Sequence, residues 1–172
     1  MFKFISARDH ELMRQVQRWP APQWIQWWMI GATRGGDGWL WAVLTGIILL
    51  FGGEKRIAAL AAAGLALVAG VLVFKALKRL TGRKRPCDLE PHCWANLLPP
   101  DRFSFPSGHS IMAFAFVTPL ALSYPWLRLV LLVCAASVAV SRIVLGMHFL
   151  SDVVAGSLLG AGIGYSAFLL LG

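Results

Sequence analysis

Charge is scarce in this chain. Only 14% of its 172 residues are charged, and acidic residues number just eight. A soluble domain usually carries about 25% charged residues, so an ordinary soluble globule does not fit. Cysteine is scarce too, at three in the whole sequence. That argues against a disulfide scaffold, which a core of this apolar content does not need. Cys134 lies in an apolar run and reads as a small buried hydrophobe. The first 30 residues lack the apolar stretch of a cleavable signal, because Arg8, Asp9, His10, Glu11 and Arg14 fall where it would lie. No repeat, low-complexity tract or soluble second domain is visible.

What is abundant is apolar surface. Hydrophobic residues make up 58% of the sequence, which excludes disorder. The length suits one domain, 1–172. Lys and Arg total 16, giving a net charge of +8. In a soluble protein that excess would suggest nucleic acid as a partner. In a membrane protein it points to anionic lipid or to a site for an anionic substrate, and nucleic acid is not expected here.

A membrane-spanning helix needs about 20 mostly apolar residues. Ile57–Leu77 fits, flanked by Lys55/Arg56 and Lys78/Arg79. Trp39–Phe51 is shorter but can extend backwards through Asp37-Gly38. Gly108–Tyr124, Trp126 to about Leu145, and His148–Leu171 complete a count of about five spans. Pro119 is expected to bend its span, which a bundle tolerates. The expected fold is an all-α integral membrane helical bundle.

The N-terminal segment, 1–36, reads differently. Ser6 and Asp9 resemble a capping box. Leu12, Val16 and Trp19 share one face, and Pro20 ends the run. This suggests an amphipathic helix on the membrane surface, with a tilted, poor transmembrane helix as the alternative. Six of the eight Trp lie between Trp19 and Trp41, as an interfacial belt would place them. Thr81–Ser107 is a polar, proline-rich connection and is expected to be irregular. Gly156, Gly160 and Gly164 are spaced by four, which suits close helix packing.

Ionisable residues near membrane helices are costly, so they are functional candidates by default. Counting alternate spans puts Lys78, Arg85, Ser107-Gly108-His109, Arg142 and His148 at one membrane face. His148 and Asp152 are four apart, on one face of a helix. A carboxylate there can fix one imidazole nitrogen and leave the other free as a nucleophile. A simple capping pair is the structural alternative. Ser107 is a good N-cap, and Gly108 lets backbone N–H groups approach an anion. An ordinary helix start would look the same. Arg grips phosphate oxygens in bidentate fashion, whereas Lys acts as a point charge. Arg79, Arg83 and Lys84 read instead as cations reaching lipid headgroups. Cys87, His92 and Cys93 fall short of a structural zinc pattern.

Together these residues resemble the type 2 phosphatidic-acid phosphatase superfamily, membrane lipid phosphatases related to vanadium haloperoxidases. Lys78, Arg85 and Pro86 match K-x6-R-P. Pro106–His109 match P-S-G-H. Ser141, Arg142, His148 and Asp152 match S-R-x5-H-x3-D. The resemblance covers roughly residues 57–171, the expected catalytic core. The N-terminal part departs from it, since bacterial members commonly have six spans.

The resemblance implies a division of roles. His148 attacks phosphorus and forms a phosphohistidine. Asp152 orients it, and His109 protonates the leaving oxygen and then activates water. Lys78, Arg85, Arg142, the Ser107 hydroxyl and the Gly108 N–H hold the phosphoryl oxygens. Fixed cations can do the electrostatic work, so neither metal nor other cofactor is expected. The implied substrate is a lipid phosphate or diphosphate: undecaprenyl diphosphate, phosphatidylglycerol phosphate, phosphatidate or a lipid A phosphate.

Alternatives are a phosphotransferase with an acceptor other than water, and a non-catalytic lipid-binding membrane protein. A haloperoxidase suits the membrane spans poorly. The location implied is the bacterial cytoplasmic membrane. The positive-inside rule alone would make the active-site face cytoplasmic. Cys87 and Cys93, close enough in sequence for a disulfide, point to an oxidising compartment. Bacterial members of the family usually work on the outer side, and the extracytoplasmic face is the expectation.

Overall fold

A computed structural model describes residues 2–86 and 103–172. Those residues form seven α-helices in chain order: α1 (Phe2–Arg18), α2 (Gln23–Gly36), α3 (Trp39–Phe51), α4 (Arg56–Thr81), α5 (Gly108–Ser123), α6 (Arg128–Val144) and α7 (Leu150–Leu171). Short 3-10 turns at Gly53–Lys55 and Pro125–Leu127 lead into α4 and α6. Cys87, His92 and Cys93 lie outside the described residues, as does the side chain of Ser6.

The five expected spans are all helical, close to their expected limits. Gly53–Thr81, Pro125–Val144 and Leu150–Leu171 are long and apolar enough to cross a membrane, while Trp39–Phe51 and Gly108–Ser123 are apolar but shorter. Their outward side chains are large and apolar: Leu72, Leu129, Leu158 and Leu169 are all well exposed. Hydrocarbon is the solvent such a surface requires.

Helix α5 is the centre of the bundle, packed on α7, α4 and α6. The glycines of α7 set how close it comes. A Cβ at Gly156 would lie 2.7 Å from the Ser107 carbonyl oxygen, and one at Gly160 would lie 2.4 Å from that of Ile111. Only glycine allows this approach, so the spacing-four pattern is a packing device, as expected. Pro119 lacks the N–H that would bond the Ala115 carbonyl, yet the helix runs unbroken through it. The Gly164 backbone sits against that same carbonyl, where a Cβ would come within 2.8 Å.

At one end of the bundle Tyr124 Oη donates to the Gly52 carbonyl at 3.0 Å, tying the end of α3 to that of α5. The other end gathers the start of α5 and the ends of α4 and α6. It also holds the turn before α7.

One expectation about the N-terminal part needs correction: α3 does not extend back through Asp37-Gly38. Gly38 has φ +139°, outside the helical range and suited to glycine, so the chain turns there. Residues 23–36 form a separate helix, α2, whose Met29 packs on Leu145 and Met147. The N-terminal helix α1 is amphipathic as expected: Leu12 and, just past its end, Trp19 face outward, while Asp9 and Met13 turn inward onto the bundle. The inward turn is set by Asp9, which ion-pairs with Arg83. Trp24, Trp27, Trp28 and Trp39 are exposed, consistent with an interfacial belt.

Candidate active site

The fold brings Lys78, Arg85, Gly108, His109 and His148 to the wall of one cavity of about 480 Å³. Ser107, Arg142 and Asp152 do not line it, but all three are buried.

His148 precedes α7 rather than opening it. The backbone N–H groups of Met147 and His148 both donate to the Arg142 carbonyl at 3.0 Å. Gly146, at φ +68°, permits that tight return. The end of α6 therefore fixes where the His148 ring sits. Its Nε2 is 3.2 Å from Arg85 Nη1, which also donates to the Met147 carbonyl at 2.9 Å. A guanidinium has only donors. The facing Nε2 must then present its lone pair, and the proton of the neutral ring sits on Nδ1. Burial and the charges of Arg85, Arg142 and Lys78 push this imidazole well below its ordinary pKa.

Nδ1 of His148 faces Oδ2 of Asp152 at 3.7 Å, longer than the hydrogen bond expected from their spacing. The reason is visible in the carboxylate's other partners. Oδ2 accepts the Phe149 N–H at 2.9 Å, and Oδ1 accepts Arg83 Nη1 at 2.7 Å. Catalytic hydrogen bonds often tighten only with substrate present.

Ser107 caps α5 as expected, its Oγ accepting the Ser110 N–H at 3.4 Å and the Ser110 hydroxyl at 3.0 Å. Its own N–H donates to the Asp152 carbonyl at 3.1 Å, joining the starts of α5 and α7. Lys78 is buried near the end of α4, with Nζ 5.6 Å from the centre of the Phe74 ring. Arg142 Nη1 donates to Thr33 Oγ1 on α2.

Three polar residues escaped the sequence reading. Asp37 lines the cavity and its Oδ1 lies 2.8 Å from His109 Nε2. Thr33 holds Arg142. Arg83, expected among headgroups, instead bridges Asp152 and Asp9, at 2.7 Å to each. Buried carboxylates on both sides outcompete lipid for it. Arg79 and Lys84 are exposed, as expected of headgroup-reaching cations. Only Arg83 carried a signal of any kind: it lies two residues from a motif arginine.

The other cavity wall is apolar, made by Trp41, Leu67, Val71, Phe74 and Met112 of α3, α4 and α5. A bundle of membrane-length helices with a half-cationic, half-apolar cavity at one end defines a class: membrane proteins that handle amphiphilic anions. The PAP2 superfamily model matches residues 59–172, and the chain belongs to that superfamily. A lipid A 1-phosphatase of Rhizobium johnstonii is 36% identical over 94 residues, covering 52% of this chain and 38% of that protein. The chain thus spans about two fifths of that relative's length. A decaprenylphosphoryl-5-phosphoribose phosphatase of Mycobacterium tuberculosis is 36% identical over 129 residues, 74% of this chain and 68% of that one. The crystal structure of Aquifex aeolicus LpxE superposes with a TM-score of 0.76 at 28% identity, covering 92% of this chain and 93% of that chain.

Proposed function

We propose that this chain is a membrane phosphatase that hydrolyses a lipid phosphate or diphosphate through a phosphohistidine at His148, without a metal. The observation that carries this reading is the His148 ring, its Nε2 lone pair turned toward Arg85 on the wall of a cavity shared with Lys78 and His109. The Nε2 lone pair attacks phosphorus, and the bond to the leaving oxygen breaks. His109, which enters this step as the imidazolium beside the bound phosphate anion, gives that oxygen a proton and becomes neutral. The intermediate is a phosphoimidazolium, and Asp152 offsets its charge beside the Nδ1 proton. Water then attacks phosphorus with His109 taking its proton, the N–P bond breaks, and inorganic phosphate leaves.

Lys78, Arg85 and Arg142, with the Ser107 hydroxyl and Gly108 N–H, hold the phosphoryl oxygens. The apolar wall suits the tail of a lipid that stays in the bilayer while its phosphate reaches the cations. The relatives' names support a lipid phosphate. We place the site on the extracytoplasmic face of the bacterial cytoplasmic membrane, which cysteine labelling at position 96 in intact cells tests.

The central experiment is phosphate release by purified protein from undecaprenyl diphosphate, phosphatidylglycerol phosphate, phosphatidate and lipid A. Release from at least one lipid without an added acceptor, lost in His148→Ala, is expected. Full activity in that variant would overturn the nucleophile. A phosphoryl group appearing only on an added acceptor would make the protein a phosphotransferase.

A further inference from the structure

We infer that Asp9, on the N-terminal helix, is a positioning residue for the active site, acting through Arg83 on the carboxylate of Asp152. The inference rests on the phosphohistidine reading, in which Asp152 serves His148.

The contacts form one chain. Arg83 Nη2 donates to Asp9 Oδ2 at 2.7 Å. Its Nη1 donates to Asp152 Oδ1 at 2.7 Å and to Ser151 Oγ at 2.8 Å. The guanidinium carbon lies 4.3 Å from the centre of the Phe149 ring, which fixes its plane. Asp9 also accepts the Ser151 N–H at 3.1 Å and the Ser151 hydroxyl at 2.5 Å. Helix α1 is therefore clamped to the first turn of α7, the turn that carries Asp152.

The physical consequence lies in how Asp152 is oriented. Its carboxylate is fully buried, so each oxygen must find a donor. Arg83 occupies Oδ1, which leaves Oδ2 for the Phe149 N–H and for His148. Without Arg83, Oδ1 loses its short ion pair, and the carboxylate rotates toward the donors that remain. Asp9 matters because it balances the second half of the guanidinium fork. One cation between two carboxylates is held at both ends, and its plane cannot swing away from Asp152.

Asp9 lies 50 residues before the segment matched by the superfamily, 59–172. The seating of an amphipathic surface helix is thereby linked to the nucleophile.

The test uses the full-length purified protein and the variants D9N, D9A, R83Q, R83K and D9N/R83Q, with H148A as control. Phosphate release from the best lipid substrate gives kcat and KM, and thermal unfolding gives the midpoint. D9N is expected to lower kcat about tenfold and R83Q about a hundredfold, with KM changed less than about twofold, because displacement of the reacting groups is what fails. R83K is expected to recover part of the loss. The double variant should be no slower than R83Q, since both substitutions break one chain of contacts.

Asparagine at position 9 still accepts the Ser151 N–H, so D9N keeps α1 docked even if D9A does not fold. Wild-type kcat in D9N, or losses that multiply and follow the unfolding midpoint, overturns the inference while H148A stays inactive. An inactive wild type, or an active H148A, instead overturns the phosphohistidine reading and the inference with it.

Discussion

His109 Nε2 lies 2.8 Å from Asp37 Oδ1, across a gap of 72 residues in the chain. The carboxylate only accepts, so it is the ring nitrogen that carries the proton. Asp37→Asn keeps an acceptor in place but removes its charge, whereas Asp37→Leu removes both. If His109 moves protons, kcat should fall roughly tenfold in the first variant and roughly a hundredfold in the second, the latter at the lower end of the usual range for acid–base groups. Steady-state phosphate release measures both.

The pH profile should carry the signature of His148. Protonation would remove the Nε2 lone pair and stop attack. Burial and the facing cations lower its pKa well below the ordinary value. The neutral, reactive form therefore persists into acid, and the acidic limb due to this group should lie below about pH 6.5, the value for a free histidine. Lys78→Ala removes one of the opposing charges, so that limb should move up in pH even as the overall rate drops. A profile of kcat/KM against pH in both proteins decides it.

Two glycines on α7 should behave oppositely. A Cβ at Gly160 would lie 2.4 Å from the Ile111 carbonyl oxygen, while one at Gly162 meets nothing within 4 Å. Gly160→Ala is expected to cost about 1–3 kcal/mol, the usual penalty for overpacking. Gly162→Ala should leave stability unchanged or slightly raised. Unfolding midpoints in the same detergent compare them.

Vanadate adopts the five-coordinate geometry of phosphorus under attack and should inhibit competitively by bonding to His148 Nε2. EDTA should leave the rate unchanged, because Lys78, Arg85 and Arg142 supply the positive charge. Phosphate release with each additive tests this.

The part of the site read from sequence was the part whose residue types are expensive in a membrane. Lys78, Arg142 and His148 interrupt apolar runs, and such interruptions stand out. Counting spans put Arg142 and His148 at one membrane face, but not the turn that returns His148 to the Arg142 carbonyl ahead of α7. Asp9, Thr33 and Asp37 were not legible because nothing in their neighbourhoods is unusual: one sits on a charged helix, one on a Trp-rich helix, one before a glycine. Their partners lie 74, 109 and 72 residues away. Only packing sets such pairs. The break at Gly38 was hidden for a related reason, since a helix start and a helix interior look alike when both are apolar.

The glycines of α7 have a wider consequence. They press the main chains of α5 and α7 together, and those two helices begin beside His109 and His148. The two imidazoles are thus spaced by backbone touching backbone, with no flexible side chain between to drift. By contrast, Asp37, just past the end of α2, and Trp41 of α3 reach the same cavity from upstream of residues 59–172, which the superfamily model matches. Substitution at Trp41 can therefore reshape the apolar wall of the cavity while the spacing of the rigid pair is kept.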